Sequence, residues 1–283
     1  MNNALEKKWI IGIGGLRCAT TWISQCLREH PEICMAPTKE LHYFSHRYDR
    51  GIDWYLSNFK DCKNGSIQGE FSTSYLYFDG AAKRINNYYP GAKIIVSIRN
   101  PIERLISHYK YFVRYNYVNI DLPISDAIKS KHVLLEYGLY YKYLKPFYEL
   151  FGNENVLVWV TESIRENPQK FVQELYSKVG VSSNFVPSVM TKYVSKGIIP
   201  RISCFESFRA RLFCYLIDHG RSDVINFLKY SRIPELYRRL NNRSKKEPLL
   251  TKDLRFTLNS YYSEDIGKLR ELTGYSLKQW RFD

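Results

Sequence analysis

Residues Lys8 to His30 read KWIIGIGGLRCATTWISQCLREH. Ile10, Ile11 and Ile13 form a short apolar run, the pattern of a parallel strand buried on both faces. Gly12, Gly14 and Gly15 let the backbone turn sharply and approach a ligand closely. Trp22, Ile23, Cys26 and Leu27 recur at a helical period, so a helix is expected from near Thr20 to the Pro31 boundary. Its first N–H groups, the positive end of its dipole, the Arg17 guanidinium and the hydroxyls of Thr20 and Thr21 converge on one spot. A phosphate is the natural occupant.

Two further runs repeat the strand signal. Lys93 to Arg99 (KIIVSIR) and Asn155 to Thr161 (NVLVWVT) are apolar and rich in β-branched residues. After the first comes Asn100-Pro101-Ile102-Glu103, an N-cap, a proline at the first helical position and a glutamate at N3, so a helix starts there. Arg99 therefore stands at the carboxyl end of a strand, where ligands of open α/β sheets collect. Ile67 to Phe78 reads as a short strand ending in a polar turn, and helices are expected within Ile120 to Leu150, across Pro168 to Val179, and within Leu249 to Trp280. This alternation predicts an α/β fold with a central parallel sheet flanked by helices, of the P-loop-like nucleotide-binding kind.

The 283 residues suit one large domain over 1–283, with 196–250 as a helical lid or acceptor region. No run of about 18 apolar residues occurs and the start MNNALEKK is not a signal peptide, so a soluble, cytoplasmic protein is expected. The six cysteines contain no CxxC pair and read as reduced thiols. A net charge of +14 calls for anionic partners. Nucleic acid is not favoured, because no zinc-finger or RRM signature accompanies that charge. Phe205, Phe208, Leu212 and Leu216 share a helical face whose default is core or lid, with peripheral membrane contact as the alternative. Oligomeric state is not legible.

The anion turn lacks GxxxxGK[ST], having neither a lysine before the hydroxyl pair nor a glycine at Ala19. Downstream, Lys39 to Phe44 (KELHYF) offers Glu40 and His42 two residues apart. In an extended segment both would face one side and could reach one reacting proton. A surface Lys39–Glu40 ion pair is the plainer reading. No metal site is expected, since His42 and His46 lack the HExxH pattern and further ligands.

Taken together, these segments resemble sulfotransferases that use 3′-phosphoadenosine-5′-phosphosulfate, above all the heparan-sulfate and Golgi-type carbohydrate branch. Arg17-x-x-Thr20-Thr21 resembles the family's 5′-phosphosulfate loop. KELHYF resembles KE-x-HFF, and Gly51-Ile52-Asp53-Trp54-Tyr55 the segment that follows it. Gly69, Glu70, Ser72 and Tyr75 match GE-x-[ST]-x-x-Y, while Arg99-Asn100-Pro101 with Arg104, Ser107 and Tyr109 matches the 3′-phosphate motif. Gly138-Leu139-Tyr140 matches a G-x-Y near the adenine, and LTGYSLKQW matches the family's finish.

The resemblance implies the donor 3′-phosphoadenosine-5′-phosphosulfate, the product 3′,5′-adenosine bisphosphate and no required metal. Glu40 becomes the general base, His42 its assistant, and Arg17 the cation on the transferred group. The cofactor-binding set becomes Arg17, Cys18, Ala19, Thr20, Thr21, Trp22, Arg99 and Ser107, with Lys196, Gly197 and Arg201 as second-rank members on a covering loop. The acceptor would be a hydroxyl or amine on a carbohydrate, a glycolipid or a small hydroxylated metabolite. Two departures stand out. Ala19 replaces a glycine, which crowds the loop by one methyl, and Phe71 replaces a lysine that helps neutralise the sulfuryl group. The competing readings are a kinase-like phosphotransferase, which needs a metal-binding carboxylate by Thr20 or Thr21, and a non-catalytic polyanion binder.

Overall fold

A computed structural model of the chain describes residues 8–119, 121–192 and 250–280, with positions 199–200, 212, 215–216, 221, 224 and 242–243. Lys196, Gly197 and Arg201, and almost all of 196–250, lie outside the described residues. The chain divides into two units, Met1–Arg99 with Tyr140–Val194, and Asn100–Leu139 with Ser195–Asp283.

The first unit is built on β1 (Trp9–Gly14), whose six residues are all buried. Beside it stand β2 (Ile33–Met35), β3 (Ile67–Phe71), β4 (Lys93–Ile98) and β5 (Val156–Val160), in the order β2-β3-β1-β4-β5. All four pairings are parallel, with Ile10 opposite Gly69 on one side and Ile11 opposite Ile94 on the other. From β1 the chain goes to β2 and β3 on one side, then crosses to β4 and β5 on the other. The carboxyl ends of β1 and β4 thus flank the topological switch point, the crevice where such sheets bind ligands.

Helices cover both faces. Ile10, Ile95, Leu157 and Trp159 pack against Trp22, Ile23 and Leu27 of α1 (Thr20–Glu29) and against Phe171, Val172 and Leu175 of a helix at Pro168–Val179. Trp9 points the other way, stacking on Tyr89 at 4.2 Å and on Tyr55 of α2 (Gly51–Ser57) at 5.8 Å. Each such buried large side chain contributes about 1.5 to 3 kcal/mol. The same unit contains α3 (Ala81–Tyr88). The sequence reading missed β2, because three residues are too few to show a period.

The second unit opens with α4 (Pro101–Arg114), capped as expected. Asn100 Oδ1 accepts from the Ile102 and Glu103 N–H groups at 3.0 and 3.2 Å. It continues with α5 (Ile124–Ser130) and α6 (Val133–Glu136). The first unit resumes with α7 (Tyr140–Phe151), α8 (Thr161–Glu166) and α9, the Pro168–Val179 helix. The second unit ends with α10 (Lys252–Thr273), whose Tyr262 donates to the Leu135 carbonyl at 2.9 Å. Arg104 is fully buried there, donating to the Leu134 carbonyl and lying 3.1 Å from His108 Nδ1.

One expectation fails. Cys34 of β2 and Cys62, in the segment after α2, are joined by a disulfide, while among the described residues Cys18 and Cys26 are buried thiols outside any disulfide. The bond escapes a search for close cysteine pairs because its partners are 28 residues apart and meet only through the path of the chain. It closes a loop holding Glu40 and His42. Closure of a loop that long removes about 3.6 kcal/mol of unfolded-chain entropy. We therefore expect the Cys34→Ser, Cys62→Ser double variant to lose about that much stability in urea unfolding. An unchanged midpoint would show the bond to be irrelevant to folding.

Candidate active site

The turn leaving β1 is anchored to the strand beside it. Gly15 N–H donates to the Ser97 carbonyl of β4 at 2.6 Å, and Ser97 Oγ donates to the Cys18 carbonyl. Leu16 N–H donates to Tyr77 Oη at 3.3 Å. The helix that follows begins at Thr20 with no side-chain cap and no acidic residue in its first turn. Nothing in that first turn competes with an incoming anion for the helix dipole.

The candidates divide by where they point. Arg17 is half-buried and Thr21 exposed, whereas Thr20 is buried. Cys18 and Trp22 spend their side chains on packing. Cys18 Sγ lies 3.6 Å from Tyr140 Oη, and Trp22 Nε1 donates to the Val189 carbonyl at 3.2 Å. Arg99 follows β4 in the first unit and donates its backbone N–H to Tyr140 Oη at 3.3 Å. Ser107 lies half-buried in α4 of the second unit. Of its motif neighbours, Arg104 serves the core and Tyr109 donates to the Leu122 carbonyl at 2.8 Å.

Two readings of the turn change. At Gly12 the close neighbour is protein, since a Cβ there would meet the Phe71 ring at 2.1 Å. At Ala19 the cost is conformational: φ is 61° and ψ 13°, the left-handed region, which costs an L-residue roughly 1 to 2 kcal/mol. That requirement explains why a glycine suits the position better than the size of a methyl does.

The Glu40 segment also departs from its expected form. It is not an extended strand, for Glu40 has φ 68° and His42 φ 57°. Those two left-handed residues bring the side chains together, with His42 Nε2 3.8 Å from Glu40 Oε2. Of the six non-glycine residues with positive φ among the described residues, four are Arg17, Ala19, Glu40 and His42. Strain is thus concentrated at the two candidate loops, as at functional sites generally.

What holds this strained segment is the polar turn after β3. Glu40 N–H donates to the Phe71 carbonyl at 2.9 Å. Thr73 donates its N–H to Glu40 Oε2 at 2.7 Å and its hydroxyl to both carboxylate oxygens at 3.1 and 3.2 Å. Lys39 forms an ion pair with Glu40 Oε1 while its ammonium lies 5.4 Å over the Phe71 ring. Three donors on a carboxylate with about four lone-pair sites leave one for a substrate proton. Thr73 also flanks the anion turn, because a Cβ at Gly14 would lie 3.6 Å from its carbonyl. Carboxylate and turn therefore share a wall.

Glu40 and His42 each keep 28% of their side-chain surface exposed, enough for a reacting group to reach them. Burial alone would raise the Glu40 pKa. The Lys39 ammonium, any charge on His42 and the Thr73 N–H outweigh it and hold the carboxyl below its ordinary range. Burial pushes His42 down to about 4, reinforced by Arg47, His46 and Lys39 against the opposing pull of Glu40. The imidazole is neutral at neutral pH. Glu70, fully buried behind the turn, is pushed up to about 8 by burial, with Ser72 and Tyr75 opposing. Lys39 was read from sequence only as an ion-pair partner. Thr73, Ser72, Ser74 and Ser45 went unnoticed as partners, because their roles depend on contacts about 30 residues away in the chain.

The Sulfotransferase domain family model matches residues 7–211. Among curated proteins, the chain is 31% identical over 122 residues to the membrane-associated sulfotransferase kil1 of Dictyostelium discoideum, covering 42% of this chain and 26% of that protein. It is 29% identical over 183 residues to the heparan sulfate glucosamine 3-O-sulfotransferase 6 of Mus musculus, covering 61% and 51%. It is 24% identical over 292 residues to the bifunctional heparan sulfate N-deacetylase/N-sulfotransferase 3 of the same organism, covering 95% and 30%. The chain thus spans about a quarter to a half of the length of these relatives. A solved sulfotransferase from Alicyclobacillus acidocaldarius shares the fold, with a TM-score of 0.69, 24% identity, and coverage of 97% of this chain and 98% of that one.

The buried Glu70 carboxyl makes stability depend on pH. The folded protein keeps a proton up to about pH 8 that an ordinary carboxyl releases near 4.5. Stability from this group is full below 4.5, falls as pH rises and levels off above 8, a change of a few kcal/mol at about 1.4 kcal/mol per pH unit. Glu70→Gln is expected to flatten that slope in urea unfolding between pH 5 and about 8. Parallel wild-type and variant curves would contradict the assignment.

Proposed function

The chain belongs to the sulfotransferase domain family, and on that premise we propose that it transfers a sulfuryl group from 3′-phosphoadenosine-5′-phosphosulfate to a hydroxyl or amine of a carbohydrate or glycolipid. The observation that carries this reading is Thr73, which grips the Glu40 carboxylate and borders the anion turn at Gly14. The acceptor class is supported by relatives whose names specify heparan sulfate and by the net charge of +14, which suits an acidic glycan.

In the proposed reaction the acceptor atom attacks sulfur as the bond from sulfur to the 5′-phosphate oxygen breaks. The electron pair of that bond stays on the phosphate, and the acceptor's proton passes to Glu40. Arg17, Thr20, Thr21 and the N–H groups opening α1 meet the growing charge on the phosphate. Preorganised donors of this kind are worth roughly 3 to 4 kcal/mol each, and a positioned base about 10² to 10⁴ in rate. Lys39 supplies the cation that Phe71 does not, its ammonium standing over that ring. The 3′-phosphate is assigned to Arg99 and Ser107 on their motif.

Labelled donor tested against glycan, lipid and phenol panels should yield sulfated product without added magnesium. Glu40→Gln should lower kcat about 10²- to 10⁴-fold while calorimetry finds its affinity for 3′,5′-adenosine bisphosphate unchanged. A magnesium-dependent transfer from a nucleoside triphosphate would favour a phosphotransferase. Anion binding with no transfer at all would favour a polyanion binder.

A further inference from the structure

His42 is held by three serines from two segments. Its N–H donates to Ser72 Oγ at 2.9 Å, and Ser72 in turn donates to Glu70 Oε2 at 2.8 Å. Its Nδ1 lies 2.7 Å from Ser74 Oγ, which lies 2.7 Å from Ser45 Oγ. Ser45 Oγ also lies 3.2 Å from the His42 carbonyl.

Each hydroxyl has one proton to give, so the protons can be followed. The His42 carbonyl already accepts from the Ser45 and Arg47 N–H groups at 3.2 and 3.0 Å, which fills its two lone pairs. The Ser45 proton therefore goes to Ser74, the shorter contact, and the Ser74 proton goes to Nδ1. That leaves the ring's own proton on Nε2. The same outcome follows from charge, since Nε2 faces Glu40 Oε2 at 3.8 Å and a carboxylate favours an N–H over a lone pair. The depressed basicity of His42 keeps the ring neutral at neutral pH, so its single proton is the one these contacts place.

We propose that the Ser45–Ser74 hydroxyl pair fixes His42 as the Nε2–H tautomer beside the Glu40 carboxylate, forming a donor and acceptor pair that selects a hydroxyl over an amine as the sulfuryl acceptor. The inference rests on the sulfotransferase reading of the site. A hydroxyl oxygen has two lone pairs and one proton: Glu40 takes the proton, Nε2–H binds one pair, and the other pair attacks sulfur. Both hydrogen bonds fit an oxygen about 2.8 Å from each partner across the 3.8 Å gap. The O–H bond breaks toward Glu40, the O–S bond forms, and the S–O pair leaves on the phosphate. A neutral amine has one lone pair, so an N–H aimed at it blocks the attack. Ser74 and Ser45 are positioning residues, acting through His42.

The test has a spectroscopic and a chemical arm. Long-range ¹H–¹⁵N correlation on the full chain labelled at histidine should show His42 as Nε2–H, with a mixture of tautomers in Ser74→Ala and restoration in Ser74→Thr. In the chemical arm the acceptors are chitosan oligosaccharide, with free amines, and its N-acetylated counterpart. Mass spectrometry should find sulfate esters and no sulfamate. Ser74→Ala should lose about tenfold in kcat with donor KM unchanged, the loss expected from one misplaced hydrogen bond, and Ser74→Thr should recover it. A wild-type Nδ1–H tautomer, or sulfamate as the main product, overturns the proposal. An Nε2–H tautomer with no transfer to any acceptor supports the hydrogen-bond assignment and overturns the sulfotransferase reading instead.

Discussion

Thr73 presents a backbone N–H and a hydroxyl to the carboxylate of Glu40, and most of the candidate chemistry depends on that grip. A carboxylate on a left-handed residue in a loop has no regular backbone ladder to fix its direction. Two donors from the turn after β3 supply what the loop lacks. Because β3 pairs with β1, the same turn also stands beside the glycines that open the turn after β1. Parallel pairing of two neighbouring strands thus sets the proposed base next to the proposed phosphate site.

The packing beneath the site serves the same end. Gly12 leaves room for the Phe71 ring, Phe71 offers its face to Lys39, and Lys39 pairs with Glu40. A lysine at position 71 would bring a charge directly, whereas here the charge comes from the neighbouring loop and rests on an aromatic face. The arrangement has a cost, since an ammonium paired with Glu40 holds that carboxylate's affinity for protons down. In exchange Glu40 stays ionised at neutral pH and ready to accept a proton.

Much of this was legible in the chain itself. The apolar runs at Ile10–Ile13, Ile94–Ile98 and Val156–Val160 announce buried parallel strands because no polar alternation interrupts them. Asn100 with Pro101 marks a helix start through local chemistry alone. The convergence of Glu40 and His42 was expected for the wrong reason, since two positive φ values do what strand alternation was thought to do. The partners Thr73, Ser74 and Ser45 and the Cys34–Cys62 bond stayed hidden, because they depend on residues that meet only after β3 has docked beside β1 and β2. Periodicity reports a residue's own element and says little about such meetings.

The most direct measurement is on Thr73→Val, which keeps the shape of a buried side chain and removes its hydroxyl from Glu40. Turnover of labelled 3′-phosphoadenosine-5′-phosphosulfate should fall about tenfold, while calorimetry finds the affinity for 3′,5′-adenosine bisphosphate unchanged. Full turnover, or a loss carried wholly by nucleotide affinity, would contradict the account.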